Sequence, residues 1–172
     1  MGLHVIIDGY NLIRRSGNLG ALDRAALELG RDALVDRLAK YKRLKRHKIT
    51  VVFDGSQKYY FPGPGFSEKG IGLKFSRHGE NADGLIIKMA QKEREKAVVI
   101  SSDHEVCRKA SLFGAAFMSS EEFLEKLEMT EMMDAAGDDA ADDGWSGSTV
   151  KKGPSRRLPK RLRRVRRKRE KL

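Results

Sequence analysis

The sequence predicts an α/β fold, a parallel sheet with helices on both faces, and three observations predict it. LHVIIDGYN (3–11), ITVVFDG (49–55) and AVVISSD (97–103) each hold a β-branched apolar run without polar alternation, the pattern of strands buried on both faces. Stretches of helical periodicity separate these runs, and strand–helix alternation implies parallel pairing. Each run closes on an aspartate, Asp8, Asp54 or Asp103, at the sheet edge where open α/β folds take their ligands.

After the first strand, 10–25 reads as a turn and an irregular connection, with Gly17 and Gly20 as breakers. Leu27, Leu34, Leu38 and Tyr41 then recur at helical spacing over 28–46. The lysines and arginines at its end complement the helix dipole. Past the second strand, 55–70 is a Gly- and Pro-rich loop carrying Tyr59, Tyr60, Phe61 and Phe66 beside Lys58 and Lys69. Rings with cations on a loop suit stacking on unpaired bases, and they equally suit pinning the loop to the body. IGLKFS (71–76) alternates like a strand near the sheet edge, and a helix follows over 82–93. After the third strand come a helix at 104–113, a short strand at 115–118, and a last helix. Ser119 or Ser120 caps that helix, with Glu122 or Glu121 completing a capping box.

Charge divides the chain. Residues 151–172 hold 13 Lys/Arg and one acid, Glu170, whereas the other 150 residues hold 22 basic and 23 acidic groups. The expected organisation is a folded domain at 1–133, an acidic flexible linker at 134–150 and a basic disordered tail at 151–172. In that tail Leu158, Leu162 and Val165 fall at helical spacing, which suits a transient helix on a partner. No apolar run approaches the roughly 20 residues that cross a bilayer. No signal-peptide pattern opens the sequence, and the single Cys107 excludes an internal disulfide. The cytoplasm is therefore the expected compartment, with Cys107 as a small buried helix residue.

Each acid has a plain structural explanation. Asp8 and Asp54 precede glycines and suit turns, Asp103 suits a helix cap, and so do Asn11, Asn81 and Asp83. Together they suggest one site, because the ends of parallel strands converge. Clustered carboxylates raise one another's pKa unless a cation neutralises them. Oxygen ligands favour Mg²⁺ or Mn²⁺ over zinc, and His4, His78 and His104 form no zinc spacing. The residues alone lead to metal-dependent phosphodiester or phosphate hydrolysis.

DGYN (8–11), VVFDG (51–55), GENAD (79–83) and ISSD (100–103), with GAAFMSSEEF (114–123) closing the domain, resemble the ordered motifs of the NYN domain. The likeness is to its YacP-like branch, in the PIN-like nuclease group, and spans about residues 3–128. It implies a PIN-like, Rossmann-like sheet and a metal-dependent endoribonuclease of single-stranded RNA, with some members acting on ribosome-bound messenger RNA. Carried across, Asp8 is the leading metal ligand, and Asn11 orients it or a metal-bound water. Asp54, Glu80, Asp83 and Asp103 complete the pocket, supported by Ser101 or Ser102. Asn81 stands where relatives usually have Thr or Ser. Gly84 stands where many have a second acid, which suits one metal rather than two. RNA contacts are expected at Arg14, Arg15, Lys58, Lys74 and Arg77, and in the tail at Arg156, Arg157, Arg161, Arg163, Arg164, Arg166 and Arg167. The rival reading is a non-catalytic RNA or ribosome binder acting through its tail. A phosphatase is disfavoured, because no DxDx[TV] follows the first strand.

Overall fold

The structure is a computed structural model that describes residues 2–55, 66–77, 79–136 and 160–172. A six-stranded sheet has the order β3-β4-β2-β1-β5-β6. Strands β1 (His4–Asp8), β2 (Lys48–Phe53), β4 (Ile71–Phe75), β5 (Ala97–Ile100) and β6 (Ala116–Met118) are parallel. Among the described strands, only the two-residue β3 (Ser67–Glu68) runs against its neighbour. The helices are α1 (Gly9–Arg15), α2 (Gly17–Ala25), α3 (Leu27–Lys45), α4 (Ala82–Glu93), α5 (His104–Leu112), α6 (Ser120–Ala136) and α7 (Lys160–Lys171).

Side chains alternate across the sheet with period two. Val5, Ile7, Val51, Phe53, Val98 and Ile100 pack with α1, α3 and α6 residues in one core. Ile6, Val52, Ala97 and Val99 pack with Ile86, Met89, Val106 and Ala110 in the other. Both faces are covered, which is why these strands read as continuous apolar runs. Among the described residues, no helix is long and apolar enough to cross a membrane.

The segment 10–25, expected to be irregular, is two helices. Ser16 ends α1 and caps α2, its Oγ accepting from Leu19 N–H at 3.4 Å. Gly20 is buried within α2, where a Cβ would stand 3.4 Å from the Ile13 carbonyl oxygen. The glycines that suggested breaks instead start α2 and let it approach α1. The capping box forms with Ser119 and Glu122: Ser119 Oγ accepts from Glu122 N–H, and the Glu122 carboxylate accepts from Ser119 N–H, each at 3.2 Å. Helix α6 continues through Ala136, into the stretch read as linker.

The sequence reading leaves 151–172 disordered, with a helix only on a partner. In the structure, α7 is seated on the domain itself. Val165 packs against the core and Leu172 is buried within it. Tyr41 O–H donates to the Leu172 carbonyl, Arg164 pairs with Glu95 at 2.6 Å, and Arg169 pairs with Glu122. Apolar positions seven apart put Val165 and Leu172 on one helix face, and the body's acids offset part of the charge. Lys58, Arg156, Arg157 and His78 lie outside the described residues, as do the loop rings Tyr59, Tyr60 and Phe61 and the side chain of Arg161.

Candidate active site

The chain turns from β1 into α1 at Asp8. Its Oδ1 accepts from Asn11 N–H at 3.2 Å, so the turn-and-cap role is real. The other oxygen, Oδ2, accepts from Ser101 O–H at 3.1 Å, and Ser101 Oγ in turn accepts from Asp103 N–H at 3.1 Å. Ser101, directly after β5, thus braces both the Asp8 carboxylate and the Asp103 backbone. Asn11 Oδ1 accepts from Ser102 N–H at 3.0 Å and from Ser120 O–H at 2.8 Å. With its oxygen engaged twice, the side chain's NH₂ group is the part left to donate. Ser102 O–H donates to Glu121 at 2.5 Å, and Arg15 pairs with Glu121 at 3.2 Å.

A cleft of about 480 Å³ lies at this edge, lined by Asp8, Asn11, Asp54 and Asp83 among others. Tyr10, Arg14, Arg15 and Asn81 complete most of its wall. Asp54 follows β2, and its Oδ1 accepts from Ser76 O–H at 3.0 Å; Ser76 Oγ accepts from Gly55 N–H at 2.9 Å. Asp83 sits in the first turn of α4, which Asn81 caps by accepting from Gly84 N–H at 2.9 Å.

Burial raises the Asp8 pKa above its ordinary value; the Asn11 and Ser101 hydrogen bonds oppose this, and the charges of Asp83 and Asp103 add to it. Burial also raises that of Asp83, followed by repulsion from Asp103 and Asp54. The carboxylates therefore feel one another electrostatically. Asp103 itself is committed to capping α5, its Oδ1 accepting from Glu105 N–H at 2.7 Å and Val106 N–H at 3.2 Å. It does not line the cleft, but its charge acts on it.

Other expected members lie elsewhere. Glu80 pairs with Lys88 at 2.5 Å, and that hydrogen bond holds its pKa below the usual value. Lys74 lines a different groove, between β4 and the end of α4. Arg77 stands exposed in the turn before α4. Cys107 is buried, donates to the Ser101 carbonyl at 3.3 Å, and has its thiol pushed up to about 11, chiefly by burial. Sequence reasoning missed Tyr10, Ser76 and Ser120. Ser76 directly follows a strand at the carboxyl edge, the one positional signal that pointed to it. Among the described residues, no three His, Cys, Asp or Glu side chains form a ready metal-holding group.

A mostly parallel sheet flanked by helices, with aspartates at the carboxyl ends of its strands, is that of an NYN domain, the nuclease-like, RNA-related class of the PIN-like group. The model for the YacP-like NYN domain matches residues 5–167, and the chain belongs to that family. That match runs past the 3–128 expected from motifs and into α7. The chain is 27% identical over 132 residues to uncharacterized protein YacP of Bacillus subtilis (strain 168), covering 74% of this chain and 76% of the relative. It resembles the crystal structure of Rae1 (YacP) from Bacillus subtilis with a TM-score of 0.68 and 26% identity, over 80% of this chain and 79% of that one. A tryptophan-to-leucine mutant of the same Bacillus subtilis protein gives a TM-score of 0.67 at 24% identity, over 83% of this chain and 86% of that one. At that identity the likeness concerns the fold.

Proposed function

We propose that this protein is an endoribonuclease that uses Mg²⁺ or Mn²⁺ to cut single-stranded RNA in the cleft of Asp8, Asp54 and Asp83. One observation carries the reading: Asp8 and Asp83 line the same cleft and both have raised pKa values, from burial and from neighbouring carboxylates. An apolar or neutral cleft would hold the fold together at less electrostatic cost, and a cation relieves that cost.

The donor set fits a hard ion. Mg²⁺ keeps several waters and takes one or two carboxylates together with substrate phosphate, so a closed group of three acids is not required. Asp8 and Asp83 would hold it, with Asp54 beside them. When bound, such an ion activates water and stabilises charge on the phosphate. The chain's own residues do the rest. Arg14 and Arg15 supply positive charge for the RNA backbone. Asn11, fixed by Ser102 and Ser120, donates from its NH₂ group, and Ser101 holds the Asp8 carboxylate in place.

Messenger RNA on the ribosome is the proposed substrate, and the cytoplasm the proposed compartment. The exposed Arg163, Arg166 and Arg167 support this, since their spacing places them on one face of α7. The same arginines favour the second reading, a binder without catalysis. Labelled RNA and single-stranded DNA, incubated with Mg²⁺, Mn²⁺ or EDTA and with or without ribosomes, separate the two. RNA cleavage that requires metal and is lost in Asp8→Asn is the expected result. Binding that persists without cleavage in every arm establishes the binder.

A further inference from the structure

At the opposite end of α4 from the cleft lies a groove of about 190 Å³. Its floor is polar and satisfied. His4 is 5% exposed, its Nδ1 stands 3.0 Å from Glu93 Oε1, and its Nε2 stands 2.9 Å from Thr50 Oγ1. Gly72 adds no side chain there; a Cβ would stand 3.1 Å from Thr50 Oγ1.

Three lysines from three elements line the groove: Lys48 of β2, Lys74 of β4 and Lys92 of α4. Glu93 is the one acid among the lining residues described, and its carboxylate oxygen is already 3.0 Å from His4 and 3.9 Å from Lys48. Lys74 and Lys92 are exposed and make no ion pair among the described residues. Phe66, 38% exposed, borders the same groove. Lys74 and Lys92, exposed beside a floor whose one carboxylate already faces His4 and Lys48, favour an anion, and an accessible ring beside them favours a base.

We infer that this groove is a second subsite for single-stranded RNA, in which Lys48, Lys74 and Lys92 hold backbone phosphate and Phe66 stacks on a base. The inference rests on the RNA reading above and extends it along α4. Asp83 and Lys92 lie nine residues apart on that helix, about 14 Å at 1.5 Å per residue. That is at most about four nucleotides at the 3.4 Å per strand step of a stacked duplex, and fewer in an extended single strand. A strand engaged in the cleft therefore reaches the groove once it extends up to about four nucleotides beyond the reacting phosphate.

The test is binding of labelled single-stranded RNA oligonucleotides, from 3 to 14 nucleotides, to the full chain by fluorescence anisotropy. It is done in EDTA, so that binding is read without cleavage. The wild-type protein is expected to gain affinity as length passes the span to the groove. The Lys48→Gln/Lys74→Gln/Lys92→Gln variant is expected to lose that step. With three contacts at about 0.7 each, its salt slope should fall by about 2, an 18-fold smaller loss of affinity between roughly 50 and 200 mM salt. Phe66→Ala should weaken single-stranded RNA at least about fivefold and leave duplex RNA unchanged. Circular dichroism checks that each variant is folded. An unchanged length step and slope in the triple variant overturn the inference, as does competition by polyglutamate equal to that by RNA. Cleavage plays no part in this readout, so loss of the nuclease reading with these binding results intact leaves the groove standing.

Discussion

Gly9 is, among the described glycines, the one at which an added Cβ would meet the closest contact. A methyl group there would place its carbon 2.3, 2.5 and 2.9 Å from Cε1, Cδ1 and Cζ of Phe53, whereas carbon atoms pack at about 3.5–4.0 Å. The Phe53 ring has no room to retreat. It is fully buried, with Tyr10 edge-on at 5.1 Å and Phe75 stacked at 5.5 Å. Relief must move α1, which begins at Gly9 and carries Asn11. Alanine would gain up to about 1 kcal/mol in helix propensity, against about 3 kcal/mol at the upper end of overpacking costs. Gly9→Ala is thus expected to destabilise by about 2 kcal/mol, or about 4–8 °C in Tm for a chain of this size. Urea denaturation followed by far-UV circular dichroism measures it. Phe53→Leu should recover part of the loss, giving a coupling of at least about 0.5 kcal/mol in a double-mutant cycle. A Gly9→Ala protein as stable as wild type, or strict additivity with Phe53→Leu, refutes the steric argument.

Because the folded Asp8 pKa lies above its ordinary 3.8, its ionisation opposes folding: no penalty exists below the unfolded pKa, and the penalty grows as pH rises through the folded one. Asp8→Asn should therefore gain stability relative to wild type as pH rises from 3 to 7, and Mg²⁺ should raise the Tm of wild type more than that of the variant; a pH-independent difference would remove the electrostatic reasoning. Ser120→Ala deletes the part-buried 2.8 Å hydrogen bond to Asn11 and should cost about 1 kcal/mol. On the nuclease reading it lowers kcat with KM unchanged, and Ser120→Thr restores the rate; a change in KM alone argues against positioning. Tyr41→Phe removes the hydrogen bond to the Leu172 carbonyl, so α7 should become a faster trypsin substrate while the body stays resistant. Equal digestion rates would mean that this bond does not hold the helix.

The strands were readable because burial on both faces leaves one residue class at every position, as in Val5–Ile7 and Val98–Ile100. The helix at Ala82–Glu93 was readable from its periodicity and its Asn81 cap. The helices α1 and α2 were not, since a glycine chosen for close packing looks in sequence like one chosen for a break. At the candidate site, the shared edge of Asp8, Asp54 and Asp83 was legible from topology, since strand ends and a helix start meet there. Glu80 did not follow, because its nearness to Lys88 depends on how the turn enters α4. The burial of His4 between Glu93 and Thr50 spans 89 and 46 residues of sequence, and no local pattern records it. Composition marked 151–172 as solvated, and it gave too little weight to Val165 and Leu172 on one face.

The hydrogen bonds that align the cleft bridge long stretches of chain: Ser101 lies 93 residues beyond Asp8, and Ser120 lies 109 beyond Asn11. At a synthesis rate of about 5–20 residues per second, Asn11 precedes its Ser120 partner by roughly 5 to 20 s. For most of that interval Asp8 exists without the Ser101 hydroxyl, and β1 has no β5 beside it. An unfinished chain therefore carries the ingredients of the cleft but not the cleft. Separating the parts along the polypeptide acts as a delay built into translation, withholding these hydrogen bonds until Ser120 has been made.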